Sequence, residues 1–350
     1  MSRLDATVSI KPYFALALQT RCDAINQAPD RAAARLLMHA SISRISLEIA
    51  ASKAFIGSDV RLVVLPEYCL TGFPMGESIA VWREKACLSE QDAVFDALGE
   101  IAAKNSVFLA FNAYEIDPHF PKLYFQSSFV INDQGAICLR YRRLISMYAP
   151  TPHDVWQRYL EIYGMDAVFP VADTGIGRLA AIASEEILYP EIARALAFRG
   201  AEVFLHCTSE VGSPNATPKS IAKRARAIEN LAYVVSANSA GITGTAIPSQ
   251  STDGMSTLID FKGNILIEAG FGESMVANAA IDLRALRDWR QRPGMSNLLS
   301  RQRTELFATT YAGTQIYPSN TLLDAEPSRA HFLDVQKTTI ANLLAKGIIQ

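Results

Sequence analysis

The chain has 350 residues, of which 49% are hydrophobic and 19% are charged, and its formal net charge is −2. This length suits one large domain or two ordinary ones, and the hydrophobic content excludes a disordered tail protein. A charge this close to zero argues against a general nucleic-acid-binding surface.

Strand-like runs alternate with helical stretches almost to the end of the chain. The spacing of the apolar residues predicts, in chain order, a strand at 13–19, a helix at 30–51, a strand at 61–65, a helix at 91–103, strands at 107–112, 124–131, 136–141 and 179–183, a helix at 190–199, a strand at 202–206, a helix at 221–231, and strands at 232–237, 256–260 and 264–268. Such alternation, interspersed with hairpins, predicts an α/β fold with mixed sheets.

Residues 291–350 differ from the rest of the chain. They are rich in Arg, Pro, Asn and Thr and show little strand pattern before 332–349, where a final helix is predicted. We therefore predict a main domain at 1–290 and a C-terminal extension at 291–350. The extension either wraps the main domain or packs on a partner subunit, and the sequence favours neither arrangement.

Cysteine and histidine spacing argues against disulfides and metals. The five cysteines include no C-x-x-C pair, which is typical of a reducing compartment, and the five histidines show no H-x-x-x-H spacing, so no metal site is expected. Residues 1–11 lack the apolar core of a signal peptide. No run reaches the roughly 18 apolar residues that a membrane helix requires. These features predict a cytoplasmic protein.

Three polar residues follow predicted strands. Glu67 comes after the strand at 61–65, Arg143 after the strand at 136–141, and Ser184 after the strand at 179–183. In α/β sheets, reactive groups gather at the carboxyl ends of strands. A poorly solvated carboxylate at such a position has a raised pKa and is a better base near neutrality.

Each of these residues also has a structural interpretation. Glu67 alone would more often form an ion pair at a sheet edge, and the basic run at 140–143 would usually be a solvated surface. Ser184 would more often cap a helix or form a turn, and it lacks the glycines of a G-x-S-x-G elbow.

The order of the segments resembles the signature of the nitrilase and aliphatic amidase superfamily of carbon–nitrogen hydrolases. The matching segments are L-P-E-x-x-x-x-G at 65–72, Y-R-R at 141–143, S-x-E-x-x-Y-P-E at 184–191 and R-A-R-A-I-E-N at 224–230. The resemblance covers roughly 12–290. It implies a four-layer αββα sandwich of two mixed sheets, a metal-free mechanism without organic cofactor, and a homodimer or larger homo-oligomer.

In that family a Glu is the general base, a Cys attacks the nitrile or amide carbon, and a Lys with a backbone N–H stabilises the tetrahedral intermediate. Glu67 matches the Glu, whereas Arg143 and Ser184 stand at the Lys and Cys positions. Further candidates for substrate contacts or orientation are Asp154, Glu185, Glu186, Tyr189 and Cys207. Cys207 is also a possible substitute nucleophile, although most buried cysteines are inert packing residues.

The two departures weaken the mechanism that the resemblance implies. A serine alcohol titrates several pH units above a thiol, at a cost of about 1.36 kcal/mol per unit, so a carboxylate alone activates Ser184 poorly. Arg143 can donate to an oxyanion but cannot shuttle a proton.

Three explanations stay open. The first is a divergent hydrolase acting on a small amide, carbamoyl compound or nitrile with Ser184 as nucleophile. The second is a catalytically silent relative that binds a ligand or scaffolds a partner. The third is an active amidase whose cysteine was replaced by design, which the second departure at Arg143 weakens.

Overall fold

Two facing six-stranded sheets with helices on their outer surfaces form the body of the protein. The computed structural model describes residues 10–350, so the prediction for residues 1–11 falls almost entirely outside it. The strands are β1 (Tyr13–Ala17), β2 (Cys22–Asp23), β3 (Val60–Val64), β4 (Phe108–Glu115), β5 (Phe125–Ile131), β6 (Ile137–Arg142), β7 (Ala172–Thr174), β8 (Gly177–Ala183), β9 (Val203–Cys207), β10 (Tyr233–Ala237), β11 (Ile242–Thr243), β12 (Thr257–Ile259), β13 (Ile265–Glu268) and β14 (Asn278–Ile281). The helices are α1 (Arg31–Ile56), α2 (Ile79–Ala86), α3 (Ala93–Asn105), α4 (Trp156–Tyr163), α5 (Pro190–Phe198), α6 (Pro218–Asn230), α7 (Leu283–Gln291), α8 (Glu305–Gly313) and α9 (Arg329–Ala345).

Both sheets are mixed, as the sequence predicts. The first has the order β14-β1-β3-β4-β5-β6, with β1, β3 and β4 parallel and the outer strands antiparallel. The second has the order β13-β12-β10-β9-β8-β7, with β8, β9 and β10 parallel. In each sheet the parallel strands are central, so their carboxyl ends form one edge on which loops can converge.

Alternating side chains place the core on both faces of the first sheet. Ala15 and Ala17 of β1 belong to the same apolar cluster as Ala181 of the opposite sheet. Leu16, between them in sequence, packs in a second cluster with Met38 of α1. Helices α1 and α3 therefore cover the outer face of the first sheet, and α5 and α6 cover the second. The result is the four-layer αββα sandwich that the resemblance implies.

The start of α6 differs from the prediction in a way that matters for the site. The helix begins at Pro218 rather than at 221, because Thr217 caps it. The Thr217 hydroxyl accepts a hydrogen bond from the Ser220 N–H at 3.1 Å, and Pro218 fills the first helical position, where no N–H is needed. The first turn of the helix therefore includes Lys219.

The C-terminal extension contains α8 and α9 and contacts the preceding residues. Leu322 and Phe332 pack in an apolar cluster with Phe120 and Tyr159. Helix α8, by contrast, lacks buried residues. The division of the chain at residue 290 stays a prediction. In the described part of the chain, no helix has both the length and the apolar character needed to cross a membrane.

Candidate active site

The predicted catalytic side chains follow strands of the two facing sheets. Glu67 lies just beyond β3, Arg143 comes directly after β6, and Ser184 comes directly after β8. Only 2%, 6% and 4% of these residues, respectively, is exposed. The prediction that the basic run is a solvated surface is therefore wrong for Arg143.

Arg143 and Glu67 form a buried ion pair that Gln126 completes. Arg143 Nη1 lies 3.4 Å from Glu67 Oε1 and donates to Gln126 Oε1 at 2.7 Å, while Gln126 Nε2 donates to Glu67 Oε1 at 2.6 Å. Arg143 Nε donates to the Ile145 carbonyl at 2.8 Å, and Nη2 donates to Glu185. These contacts use four of the five guanidinium N–H groups, so one Nη2 hydrogen stays available to a ligand.

The preceding residue, Arg142, is also buried, but it points away from this site. It lies 2.8 Å from Glu115 and 2.6 Å from Asp117, and aromatic rings cover its guanidinium. The surface prediction fails for Arg142 as well, because two buried carboxylates and the rings replace water around the guanidinium.

Ser184 adopts an unusual backbone conformation that a buried histidine supports. Its φ of 48° lies in the left-handed region, which costs a non-glycine residue energy. His206 Nε2 lies 2.8 Å from the Ser184 carbonyl oxygen, and His206 Nδ1 lies 2.8 Å from Ser236 Oγ. A carbonyl can only accept, so Nε2 carries the proton and Nδ1 accepts from Ser236. Burial keeps the pKa of His206 well below its usual value, so the ring is neutral.

The Ser184 hydroxyl contacts a lysine that the sequence analysis did not single out. Lys219 Nζ lies 3.2 Å from Ser184 Oγ and 3.2 Å from Thr208 Oγ1. The hydroxyl therefore does not cap a helix. Thr208 also connects Ser184 and Lys219 to the loop that carries Glu67, since the Glu67 N–H donates to the Thr208 carbonyl at 3.2 Å. The Thr217-Pro218 pair was the sequence signal that could have placed Lys219 in the first turn of a helix.

Glu186 ties the Arg143 loop to the Ser184 turn. One carboxylate oxygen accepts from the backbone N–H groups of Leu144 and Ile145 at 2.7 and 3.0 Å. The other accepts from the Tyr141 hydroxyl at 2.7 Å and the Ala183 N–H at 3.3 Å. Burial raises the pKa of Glu186 to about 7, although these donors act in the opposite direction.

The remaining candidates occupy different surroundings. Glu185 is partly exposed and pairs with Arg143, and Tyr189 is exposed just before α5. Cys207 ends β9 fully buried, and burial raises the pKa of its thiol well above the usual value, as expected of a packing residue. Asp154 accepts hydrogen bonds from the backbone N–H and the hydroxyl of Thr151, both at 2.8 Å. Its carboxylate makes no hydrogen bond to Glu67, Arg143 or Ser184.

No metal centre is built into the described residues. Within 10–350, no group of three or more His, Cys, Asp or Glu side chains is placed to hold an ion. A cavity of about 480 Å³ lies against α6, with Glu210 and Lys223 in its lining. Glu67, Arg143 and Ser184 do not line it.

Comparison with known proteins agrees with this architecture. The chain is 28% identical over 237 residues to a formamidase of Pseudomonas syringae pv. syringae (strain B728a), a match covering 67% of this chain and 64% of the formamidase. It is 24% identical over 234 residues to the omega-amidase NIT3 of Saccharomyces cerevisiae, covering 67% and 78% of the two chains. The alignment thus spans somewhat less than two thirds of the formamidase.

The fold comparison extends further along the chain. The crystal structure of a carbon–nitrogen hydrolase from Helicobacter pylori G27 superimposes with a TM-score of 0.65 at 20% identity, covering 86% of this chain and 99% of that one. The carbon–nitrogen hydrolase family profile matches residues 22–291. The chain therefore belongs to the carbon–nitrogen hydrolase family.

Proposed function

We propose that this protein is an amidase-type hydrolase that cleaves the carbon–nitrogen bond of a small amide, carbamoyl compound or nitrile, with Ser184 as the nucleophile. The observation that carries the proposal is the position of the Ser184 hydroxyl. It is buried, it lies in a left-handed turn at the end of β8, and it contacts Lys219 beside the Glu67 and Arg143 pair. The formamidase and omega-amidase relatives support the same reaction class.

The surroundings favour a small, uncharged substrate. Carboxylates and a cation stand side by side here, since Arg143 pairs with both Glu67 and Glu185, so no single sign of charge dominates to attract an ion. The near-complete burial of Ser184 limits the room for a large acyl group. In this proposal Glu67 acts on the water that releases the acyl group, and the free Nη2 hydrogen of Arg143 donates to the oxyanion.

Ammonia release from formamide, acetamide and butyramide tests the proposal. We expect turnover that is lost in Ser184→Ala and in Glu67→Gln but retained in Ser43→Ala, which removes an exposed hydroxyl on α1. Equal rates in the wild type and in Ser184→Ala would remove Ser184 from the mechanism.

A second candidate is a catalytically silent relative that binds its ligand without turnover. It is favoured by one observation, that contacts within the protein already use most donors of Arg143. This candidate predicts that an amide raises the melting temperature of the wild type without ammonia release. The double variant Arg143→Lys with Ser184→Cys separates the two, because activity that appears only there means that the native pair silences a competent fold.

We also propose that the protein is a cytoplasmic homodimer or larger homo-oligomer. Exposed apolar side chains on α5 and α6, among them Phe198 and Ile221, support an interface on the outer surface of the second sheet. Sedimentation velocity tests this, with the expectation that Ile221→Glu lowers the oligomeric state. A wild-type monomer at all concentrations would contradict it.

A further inference from the structure

We infer that Lys219 is the proton acceptor that activates Ser184, so that the two residues form a serine–lysine catalytic pair. The inference rests on the proposed function, because it assigns the base for the same nucleophile. It answers the difficulty that a carboxylate alone is a poor activator of a serine alcohol and that Arg143 cannot shuttle a proton.

The geometry already suits a direct proton transfer. Lys219 Nζ lies 3.2 Å from Ser184 Oγ, which is at the outer limit of hydrogen-bonding reach and within the range found before substrate binds. Thr208 Oγ1, also 3.2 Å from Nζ, holds the amine from a second direction. The Thr217 cap fixes the start of α6, so Lys219 projects from a rigid element rather than from a loop.

Burial of the Lys219 amine favours its neutral form. Burial lowers the pKa of Lys219, the carboxylates of Glu67 and Glu210 oppose this effect, and the positive charges of Lys223 and Arg143 add to it. A position in the first turn of a helix disfavours a cation further, because the helix dipole is positive there. A neutral amine can accept the hydroxyl proton, which an ordinary surface lysine cannot do near neutrality.

The nearby titratable group on the second sheet does not compete for this role. His206 lies on the Ser184 carbonyl rather than on its hydroxyl, and it is neutral with its proton on Nε2. Its Nδ1 accepts from Ser236 and has no contact with the nucleophile. His206 is therefore a positioning residue.

Acylation requires only Ser184, Lys219 and the amide substrate. As Ser184 Oγ bonds to the carbonyl carbon, its proton passes to Lys219 Nζ and the carbonyl π electrons move to oxygen. When the tetrahedral intermediate collapses, the carbon–nitrogen bond breaks, Lys219 returns the proton to the departing nitrogen, and ammonia leaves. Water then attacks the Ser184 ester and gives one proton to the Glu67 carboxylate. As the bond between the acyl carbon and Ser184 Oγ breaks, Glu67 returns this proton to Ser184 Oγ and the carboxylic acid departs.

Methanesulfonyl fluoride is a small probe that tests the pair independently of amide turnover. Ser184 Oγ attacks its sulfur, the sulfur–fluorine bond breaks, fluoride leaves, and Lys219 takes the hydroxyl proton. Peptide mass spectrometry locates the sulfonyl group, and the labelling rate is measured as a function of pH. We expect labelling of Ser184 at a rate that rises with an apparent pKa below the ~10.4 of an unperturbed lysine.

Two variants of Lys219 and one matched control decide the assignment. Lys219→Met removes the amine, and Lys219→Arg keeps a charged donor that cannot accept a proton, so both should slow labelling about 10²-fold or more and abolish the titration. Lys104→Arg is the control, because this lysine is exposed near the end of α3, on the first sheet. It should label at the wild-type rate. Circular dichroism and the melting temperature show which of the two Lys219 variants retains the fold, and the labelling rate of that variant decides the assignment.

The outcomes separate the inference from the function on which it rests. Labelling that depends on Lys219, with or without ammonia release from amides, supports the pair. If ammonia release needs Ser184 but Lys219→Arg is labelled at the wild-type rate, the proposed function stands and the serine–lysine pair is overturned. A hydrogen-bond donor that merely holds the hydroxyl would then be sufficient. No labelling of wild-type Ser184 at any pH would also overturn it.

Discussion

Replacement of Glu186 by glutamine should change how the stability of the protein depends on pH. The carboxyl group titrates near 4.5 in an unfolded chain, whereas burial raises its pKa to about 7 in the folded protein. Between these two values the folded state binds more protons than the unfolded state, so the free energy of unfolding falls as the pH rises. The penalty is absent well below pH 4.5 and complete above pH 7.

The size of the effect follows from these two pKa values. Between pH 5 and pH 8, titration of Glu186 should lower the free energy of unfolding by about 2.5 kcal/mol. Glutamine cannot ionise, so the variant lacks this contribution. Its amide NH₂ faces donors on Tyr141 and Ala183, and the lost hydrogen bonds should cost about 1–3 kcal/mol at either pH. The difference between the two proteins should therefore shift by about 2.5 kcal/mol in favour of the variant from pH 5 to pH 8.

Urea denaturation of both proteins at the two pH values measures this shift, and every titration that they share cancels. Glu268→Gln, which neutralises an exposed carboxylate on β13, is the matched control and should leave the pH dependence unchanged. Parallel stability curves for the wild type and Glu186→Gln would refute the reasoning. A shift of the opposite sign would mean that the four donors outweigh burial and keep the carboxylate ionised.

Two further substitutions probe the support around the site. His206→Leu leaves the Ser184 carbonyl without its buried partner. It should lower the free energy of unfolding, measured by urea denaturation, by about 1–3 kcal/mol. It should also abolish methanesulfonyl labelling of Ser184, measured by mass spectrometry. Arg142→Met leaves the carboxylates of Glu115 and Asp117 buried without their cation and should cost about 3–5 kcal/mol by the same denaturation assay.

Each of these predictions has a control within the chain. His39→Leu, on the exposed side of α1, should leave both stability and labelling unchanged. Arg140→Met, at a half-buried position two residues before Arg142, should cost well under half as much. Retained labelling in a folded His206→Leu protein would show that the left-handed conformation of Ser184 forms without the histidine. A loss of less than about 1 kcal/mol for Arg142→Met would contradict the argument that Glu115 and Asp117 are destabilising when buried without a cation.

The sequence alone was enough to identify the fold class and the positions of the three strand-end residues. Apolar runs such as 61–65 and 179–183 are typical of buried strands, and the polar residue that follows each is expected at the carboxyl edge of a sheet. Both inferences depend only on the local pattern of apolar and polar residues. The observed mixed sheets and the observed positions of Glu67 and Ser184 agree with them.

Only the tertiary structure decided what surrounds those residues. Arg142 and Arg143 are adjacent in sequence and chemically alike, yet one pairs with Glu115 and the other with Glu67, because neighbouring residues at a strand end point in opposite directions. Lys219 lies 35 residues from Ser184 in sequence, and the local pattern contains no sign of their contact. Burial and long-range contact set the pKa and the partner of a charged side chain, and both quantities exist only once the two sheets and α6 have packed together.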